Sequence, residues 1–353
     1  MLVKYLGTIL NPEGHTYARS DFLENGLFRI TQPKYLNDKG SEARFYPYFE
    51  EFSPADIEYA RKCFRQFNVG NTEYPSNDEL IKLHLEPAGR RYSIEEFPTL
   101  LAFTDYISVE DYRRAVKQQL YDTVEKFNKF IVEALSCHIG VFSLSKRIDN
   151  DQMWTHYASE GRGVALSFKE THSFFHTFKP MEVSYNKSDR ASITCYKGDI
   201  RINGEYAKSY EIREQFEFKD FFKLYLENKM KYEELFKKLL FTKAPQWMHE
   251  MESRIVIPLN YSDKKLQNLI EPDFEDKIPE HFSSFFPKYS EVCLKKIPFD
   301  AFDTLFFGYA MSEKDKERII KLIKSNENLQ HLQVKQMYYN IYGNLEFENI
   351  NLN

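Results

Sequence analysis

Cysteine is scarce in this sequence, and its four copies lie far apart. Cys63, Cys137, Cys195 and Cys293 form no C-x-x-C pair. A disulfide framework or a cysteine-based zinc site needs closely and regularly spaced cysteines, so the spacing argues against both. We therefore expect a protein of a reducing compartment.

Long apolar runs and an excess of positive charge are also absent. No segment approaches the roughly 20 apolar residues that a membrane-spanning helix needs, and the first 20 residues lack the apolar core of a signal peptide. The net charge is −5, which argues against a broadly basic surface for nucleic acid. These absences predict a soluble, cytoplasmic protein without a membrane partner.

The common motifs of nucleotide and metal enzymes are missing as well. There is no P-loop, no G-x-G-x-x-G after a strand and no G-x-S-x-G elbow. His249-Glu250 lacks the second histidine of a zinc protease. His172 and His176 have helical metal-ligand spacing, but the phenylalanines between them indicate packing. The sequence thus predicts neither a P-loop ATPase, nor a Rossmann dehydrogenase, nor a metal site.

Aromatic residues, by contrast, are abundant, and their spacing predicts long helices. The chain of 353 residues has 31 Phe and 24 Tyr but 13 Gly. Apolar residues recur every three or four positions from Ser108, a candidate N-cap, to Leu135. A similar pattern predicts a second helix over Tyr210–Leu240. Shorter helices are predicted over Pro54–Phe67 and Lys314–Ser325.

Short runs rich in Val, Ile and Phe predict the strands. They are Leu27–Thr31, Ile139–Ser145, Gly163–Phe168, Met181–Tyr185, Arg254–Leu259, Val292–Ile297, Thr304–Phe307 and Leu332–Met337. Because helices and strands are segregated, the pattern favours an α+β fold with a mixed, largely antiparallel sheet. We predict a single domain over residues 1–353, with helical insertions near 50–135 and 204–245.

A dense polar and aromatic cluster follows the strand predicted over Ile139–Ser145. It reads Met153-Trp154-Thr155-His156-Tyr157-Ala158. Such a cluster packs a corner or lines a pocket. We expect Trp154 to pack and His156 to be a structural histidine rather than a general base.

Two carboxylates and a guanidinium alternate along a later segment. Because strand side chains alternate between faces, Glu250, Glu252 and Arg254 would share one face of a strand. One interpretation is a surface ladder in which Arg254 pairs with Glu252. The other is a catalytic carboxylate held by its neighbour. Ser143 and Ser145 would likewise share a strand face.

These motifs resemble the bacterial family catalogued as domain of unknown function 2971. The resemblance rests on Asn37-Asp38 followed by Glu42, on Phe142-Ser143, on Met153 to Ala158 followed by Gly161-Arg162-Gly163-Val164-Ala165, and on Lys243, Trp247, Glu250, Glu252 and Arg254. It runs from Lys4 to about Gly308. The family usually has Pro-Phe-Glu after Asn-Asp. Here Lys39-Gly40-Ser41 precedes Glu42, which puts a role for Glu42 in doubt.

The order of these short motifs along the chain is also similar to that of the ADP-ribosyltransferase superfamily. The matching parts are a Ser-x-Ser strand, Ser143 and Ser145, and a Glu-x-Glu segment, Glu250 and Glu252. Members carry Arg or His on the opening strand, where this chain has Lys4-Tyr5. The resemblance implies NAD as the substrate or cofactor. It further implies a transferase or an NAD glycohydrolase, of the kind found among bacterial defence and toxin proteins.

The same resemblance implies a role for each candidate residue. Glu252 would stabilise the oxocarbenium-like transition state, and Glu250 would orient or deprotonate a macromolecular acceptor. Ser143 and Ser145 would brace Glu252. The predicted contacts to NAD are stacking by Tyr5 or Tyr157 and a pyrophosphate contact by Lys4. The predicted lining of the same concave site also includes Asn37, Asp38, Trp154, His156 and Arg254.

A non-enzymatic binding module of a defence system is the competing hypothesis. Basic and aromatic residues interleave over Phe216–Lys243 and could contact phosphates and bases of a nucleic acid. The many glutamates in this stretch favour a solvated amphipathic helix instead.

Overall fold

The helices of a computed structural model follow the predicted apolar periodicity. The structure describes residues 1–10, 14–70, 73, 75–87, 94, 97–209, 232–274 and 280–351. Its α-helices are α1 (Phe22–Asn25), α2 (Pro54–Phe67), α3 (Asn77–His84), α4 (Val109–Ser136), α5 (Asp151–Tyr157), α6 (Ser173–Thr177), α7 (Tyr232–Leu240) and α8 (Glu313–Ser325). Short 3-10 helices span Pro33–Tyr35, Pro98–Phe103, Lys187–Asp189, Pro245–Glu250, Leu259–Tyr261, Glu280–Phe285, Phe299–Ala301 and Glu327–Leu329.

Seventeen strands are present in the described part of the chain. They are β1 (Leu2–Leu6), β2 (Thr8–Leu10), β3 (Thr16–Ala18), β4 (Leu27–Ile30), β5 (Tyr46–Phe49), β6 (Ile139–Ser145), β7 (Val164–Phe168), β8 (Met181–Glu182), β9 (Ser192–Tyr196), β10 (Asp199–Ile202), β11 (Glu205–Ser209), β12 (Glu252–Pro258), β13 (Lys264–Ile270), β14 (Tyr289–Lys296), β15 (Phe302–Phe307), β16 (Gln333–Tyr339) and β17 (Leu345–Asn349).

Eight of these strands form the largest sheet, in the order β17-β16-β15-β7-β1-β6-β12-β8. All neighbours in it are antiparallel except β15 and β16. Smaller sheets have the orders β11-β10-β9-β5, β13-β14-β4 and β2-β3. The predicted α+β fold with a mixed, largely antiparallel sheet is confirmed.

The predicted helices agree closely with the structure wherever it describes them. Helix α2 has the predicted bounds, and α8 begins one residue before the predicted Lys314. Helix α4 begins after Ser108, whose side chain accepts from Asp111 N as an N-cap should. Of the helix predicted over Tyr210–Leu240, α7 is the described part, and residues 210–231 lie outside the described residues. Most of the stretch Phe216–Lys243 lies there too.

Each predicted strand overlaps a strand of the structure, but some bounds differ. The strand predicted over Met181–Tyr185 is only Met181–Glu182, and β14 begins three residues before the predicted Val292. Strand β6 has the predicted bounds. Strand β12 begins at Glu252, two residues earlier than predicted, while Glu250 belongs to the preceding 3-10 helix. The expectation that Glu250 shares a strand with Glu252 is therefore wrong. Met251, between them, has a left-handed backbone with φ of 43°, so strand pairing cannot continue through it.

The two faces of the large sheet have different coverings. One face packs into the main apolar core, which contains Phe142, Leu144 and Ile255. On the other face, Val3 and Tyr5 of β1 pack with Trp154 of α5. Farther along that second face, β6 and β12 carry polar and charged side chains. The candidate site lies there.

Among the described residues, no helix is both long and apolar enough to cross a membrane.

Candidate functional site

Five charged side chains meet beneath the surface on β12 and the segments around it. They are Glu42, Lys243, Glu250, Glu252 and Arg254, and we call them the charged cluster. Each side chain is at most 5 % exposed. Burying charges in this way is costly unless they are paired. The cluster has three carboxylates against two cations.

Strand register places Glu252 and Arg254 opposite the Ser-x-Ser segment. Glu252 pairs with Ser145 and Arg254 with Ser143 across β12 and β6. Directly paired residues in an antiparallel sheet project to the same face. The two serines and the Glu252–Arg254 pair therefore share one face, as the alternation predicts.

A tight turn brings Glu250 to the same place by another route. The 3-10 helix Pro245–Glu250 ends at the left-handed Met251, and β12 begins at the next residue. The Ser145 hydroxyl donates to the Glu250 carbonyl at 2.9 Å and fixes the turn against β6. Glu250 thus reaches the cluster from the end of the sheet.

Arg254 is the centre of the cluster. Its Nε and Nη2 donate to the two oxygens of Glu252 at 2.8 and 2.9 Å, and Nη2 also donates to Glu42. Nη1 donates to the Leu240 carbonyl at 2.7 Å, which ties the end of α7 to the site. This bidentate arrangement is the strong form of an Arg–carboxylate pair.

The two carboxylates beside Arg254 titrate in opposite directions. Burial alone would raise the pKa of Glu252, but the charge and hydrogen bonds of Arg254, with help from Lys243 and Ser143, lower it to about 2. Burial raises the pKa of Glu42, and Arg254 and Lys243 offset this only in part. Glu252 is therefore held ionised at neutral pH.

Lys243 links the carboxylates to the surface. Its Nζ lies 2.6 Å from Glu250 Oε2, 3.4 Å from Glu252 Oε2 and 3.7 Å from Glu42 Oε1. It also donates to Asn37 Oδ1 at 3.3 Å. Three carboxylates therefore lie around one buried ammonium.

Four side chains form the boundary between the cluster and solvent. The Tyr157 hydroxyl donates to Glu250 Oε1 and accepts from Asn37 Nδ2, and Asn37 is exposed. The Tyr185 hydroxyl accepts from Glu252 N at 2.9 Å. The Trp247 ring lies 4.7 Å from Lys243 Nζ in a cation–π contact. Glu250 is thus one hydrogen bond from the surface through Tyr157.

Other residues of the aromatic motif lie elsewhere. Trp154 is fully buried, donates from Nε1 to the Ile148 carbonyl at 2.7 Å, and packs edge-on against Tyr5. The expected packing role of Trp154 is confirmed. Tyr5 is buried too, and its hydroxyl donates to the Arg147 carbonyl. His156 is exposed, with its ring 6.5 Å from that of His249.

Lys4 projects away from the charged cluster. Val3 pairs with Ser145, so Val3 and Tyr5 face the cluster side of the sheet and Lys4 faces the other side. Its Nζ donates to the Ser143 carbonyl at 2.9 Å and lies 4.9 Å from the Phe142 ring. Burial lowers the pKa of Lys4 to about 8, although Glu252 acts in the opposite direction.

The loop after Asn37 supports the cluster through Glu42. Asp38 is buried, its backbone N–H donates to Glu42 Oε2 at 2.9 Å, and its side chain accepts from Gly40 N and from the Ser41 hydroxyl. Sequence reasoning gave Glu42 a doubtful role and gave Lys243 none. Both are among the residues on which the resemblance rests, but neither lies on a predicted strand.

Chemically, the arrangement offers a fixed carboxylate next to a phenol and an amide at the surface. Arg254 pairs with Glu252, as the surface-ladder interpretation predicts, but the location at the surface is wrong, because both side chains are buried. Among the described residues, no group of three or more His, Cys, Asp or Glu has the arrangement of a metal site. The cations Lys243 and Arg254 instead compensate the carboxylates.

Residues 153–255 match a family model whose description is protein of unknown function (DUF2971). The matched segment contains Tyr157, Lys243, Glu250, Glu252 and Arg254. Lys4, Tyr5, Asn37, Asp38, Ser143 and Ser145 precede it. No curated protein and no solved structure matches the chain. The similarity therefore brings no activity with it.

Proposed function

We propose that the protein cleaves the glycosidic bond of NAD and passes ADP-ribose to water or to a macromolecular acceptor. The observation that carries this proposal is the order of three adjacent strands. Strand β6, with its Ser-x-Ser segment, lies between β1 and β12, and Glu250 and Glu252 meet at its end. A bacterial defence role with a protein or nucleic-acid acceptor is part of the same proposal.

The geometry favours Glu250 as the carboxylate that acts on the reacting carbon. Both oxygens of Glu252 already accept from Arg254, and Lys243 lies close to one of them. A charge compensated in this way adds little to the stabilisation of a developing cation. Glu250 contacts one cation and one neutral phenol, and it reaches the surface through Tyr157. In the proposal, Glu252 and Arg254 hold Lys243 and Glu250 in position.

The bond between C1′ of the ribose and the nicotinamide nitrogen breaks, and its electron pair stays on nitrogen, which becomes neutral. The oxocarbenium-like carbon faces the Glu250 carboxylate. Water or the acceptor then bonds to C1′ and gives its proton to Glu250. Tyr157 and Asn37, both at the surface, would contact the nicotinamide ribose.

The test is nicotinamide release from NAD, with and without cell extract as a source of acceptor. Glu250→Gln is expected to reduce release by about 10²–10³-fold, the usual effect of removing one electrostatic contact to a transition state. Glu182→Gln is the matched control, because Glu182 pairs with β12 but is exposed. If the wild-type protein neither binds millimolar NAD nor releases nicotinamide with any extract, the proposal fails.

A further inference from the structure

Two cations lie on the ring of Tyr46 beside the charged cluster. Lys187 Nζ lies 4.4 Å from the Tyr46 ring centre, and Arg190 Cζ lies 5.0 Å from it. Lys187 is exposed, and its ammonium is also 5.4 Å from the Tyr48 ring centre. In the part of the chain that the structure describes, no ion pair joins either cation to a carboxylate.

Arg190 has an unmet donor although it is only 8 % exposed. Its Nη2 donates to the Ser41 carbonyl at 3.1 Å, while the buried Nε has no partner among the described residues. Asp38, the carboxylate that acts on Arg190, already accepts from Gly40 N and the Ser41 hydroxyl. A buried guanidinium with incomplete pairing is costly, and a bound anion would offset that cost.

Other carboxylates near the two cations are also engaged or more distant. Asp189, in the same 3-10 helix as Lys187, accepts from the Ser184 hydroxyl at 2.6 Å. Glu51 acts on Lys187 but does not lie within ion-pair distance in the described structure. Lys187 also hydrogen-bonds the Tyr46 side chain, and because Lys187 is exposed, its other N–H donors face solvent.

The segment that carries the two cations starts at the charged cluster. Tyr185, two residues before Lys187, accepts from Glu252 N, and the Ser184 carbonyl accepts from Lys243 N at 3.0 Å. At the other end, Arg190 contacts Ser41, whose hydroxyl accepts from Ala244 N at 3.0 Å. Hydrogen bonds thus hold the segment that carries the two cations against Lys243 at one end and, through Ser41, against Ala244 at the other.

We infer that Lys187 and Arg190 bind the phosphate groups of the nucleotide on which the charged cluster acts. The inference rests on the proposed function and assigns the phosphate contact that the sequence had given to Lys4. Lys4 faces the other side of the sheet, whereas Ser184 and Ser41 connect the segment of Lys187 and Arg190 to Lys243 and Ala244. Phosphate oxygens accept charge-assisted hydrogen bonds both from an exposed ammonium and from the edge of a guanidinium.

The experiment combines binding of ADP and inorganic pyrophosphate with NAD kinetics. Lys187→Gln is the main variant because Lys187 is exposed and its replacement should leave the fold intact. Lys321→Gln, an exposed lysine on α8, is the matched control. Lys187→Gln should weaken ADP binding and raise KM for NAD about tenfold, the effect of losing one hydrogen bond to a charged group, with kcat within about twofold. Lys321→Gln should match the wild type.

The outcomes separate this inference from the proposed function. Unchanged KM and ADP affinity in Lys187→Gln, with NAD still cleaved, would overturn the phosphate contact alone. Loss of ADP binding in Lys187→Gln, in a protein that never releases nicotinamide, would support the phosphate contact and reject NAD cleavage. Failure of the wild-type protein to bind millimolar ADP or pyrophosphate would overturn the inference.

Discussion

One face of the eight-stranded sheet has two halves that differ in the character of their side chains. Around β1, the half covered by α5 is apolar, with the fully buried Trp154 against Tyr5. Around β12, the half beneath the Asn37 loop contains the charged cluster. The first half stabilises by removing apolar area from water. The second half instead contains charges that well-packed apolar residues could replace with little loss of stability.

The largest expected effect is that of Arg254→Met. It removes the partner of Glu42, of Glu252 and of the Leu240 carbonyl at once. Breaking a buried pair typically costs about 3–5 kcal/mol of the free energy of unfolding, and we expect the upper end. Urea unfolding followed by circular dichroism measures it. A loss under about 1 kcal/mol would show that the cluster is solvated.

Trp154→Ala tests the apolar half in the same way. We expect a loss of about 3–5 kcal/mol, because the indole is fully buried and leaves a cavity. Unlike the effect of Arg254→Met, this loss should not depend on pH. A pH-dependent loss in urea unfolding would contradict the separation of the two halves.

Glu252→Gln should cost less, about 2–3 kcal/mol at pH 7, since Gln still accepts one hydrogen bond from Arg254. The pKa of Glu252 falls from its ordinary 4.5 to about 2 on folding. A lowered pKa stabilises the folded state above pH 4.5, and this stabilisation is lost as the pH falls from 4.5 to 2. Glu42, whose pKa burial raises, acts in the opposite direction.

The check is the difference in unfolding free energy between wild type and Glu252→Gln, measured from pH 7 to the lowest pH at which both fold. The difference should shrink below pH 4.5. A difference that stays constant or grows would contradict the lowered pKa. If Glu252 were instead a catalytic carboxylate held in place at a cost to stability, Glu252→Gln would be as stable as the wild type.

The smallest expected effect on stability is that of Tyr157→Phe. It removes the hydroxyl between Asn37 and Glu250 but keeps the ring. We expect a loss of about 1 kcal/mol, the typical value of one hydrogen bond. Differential scanning calorimetry measures it, and Tyr338→Phe, at an exposed strand position, is the control. Equal effects of the two substitutions would show that the Tyr157 contact does not contribute.

The sequence predicted local structure better than it predicted the site. Periodicity and an N-cap serine define α4, and a run of apolar residues defines β6, because these signals act over a few neighbouring residues. Strand β1 is missing from the strands predicted from apolar runs, and only the resemblance placed Lys4-Tyr5 on an opening strand, although β1 lies at the centre of the sheet. Lys4 interrupts the apolar run of β1, and its packing on Phe142 is visible only in the tertiary structure.

The site residues that the sequence did not predict were missed for the same reason, because only the tertiary structure brings them together. Glu42 contacts Arg254 across 212 residues, and Lys243 reaches Glu250 only because α7 ends and the chain turns at Pro245–Glu250. No spacing rule connects such positions. Strand alternation did place Glu252 and Arg254 on one face, but it could not show that Met251 takes Glu250 off the strand.

We propose that the charged half of this face carries the chemistry and that the apolar half does not. Nicotinamide release per folded molecule, compared between Glu250→Gln and Trp154→Phe, tests it most directly. The account predicts a loss of about 10²–10³-fold for Glu250→Gln and a rate close to wild type for Trp154→Phe. Equal rates in Glu250→Gln and the wild type, after correction for the folded fraction, would contradict it.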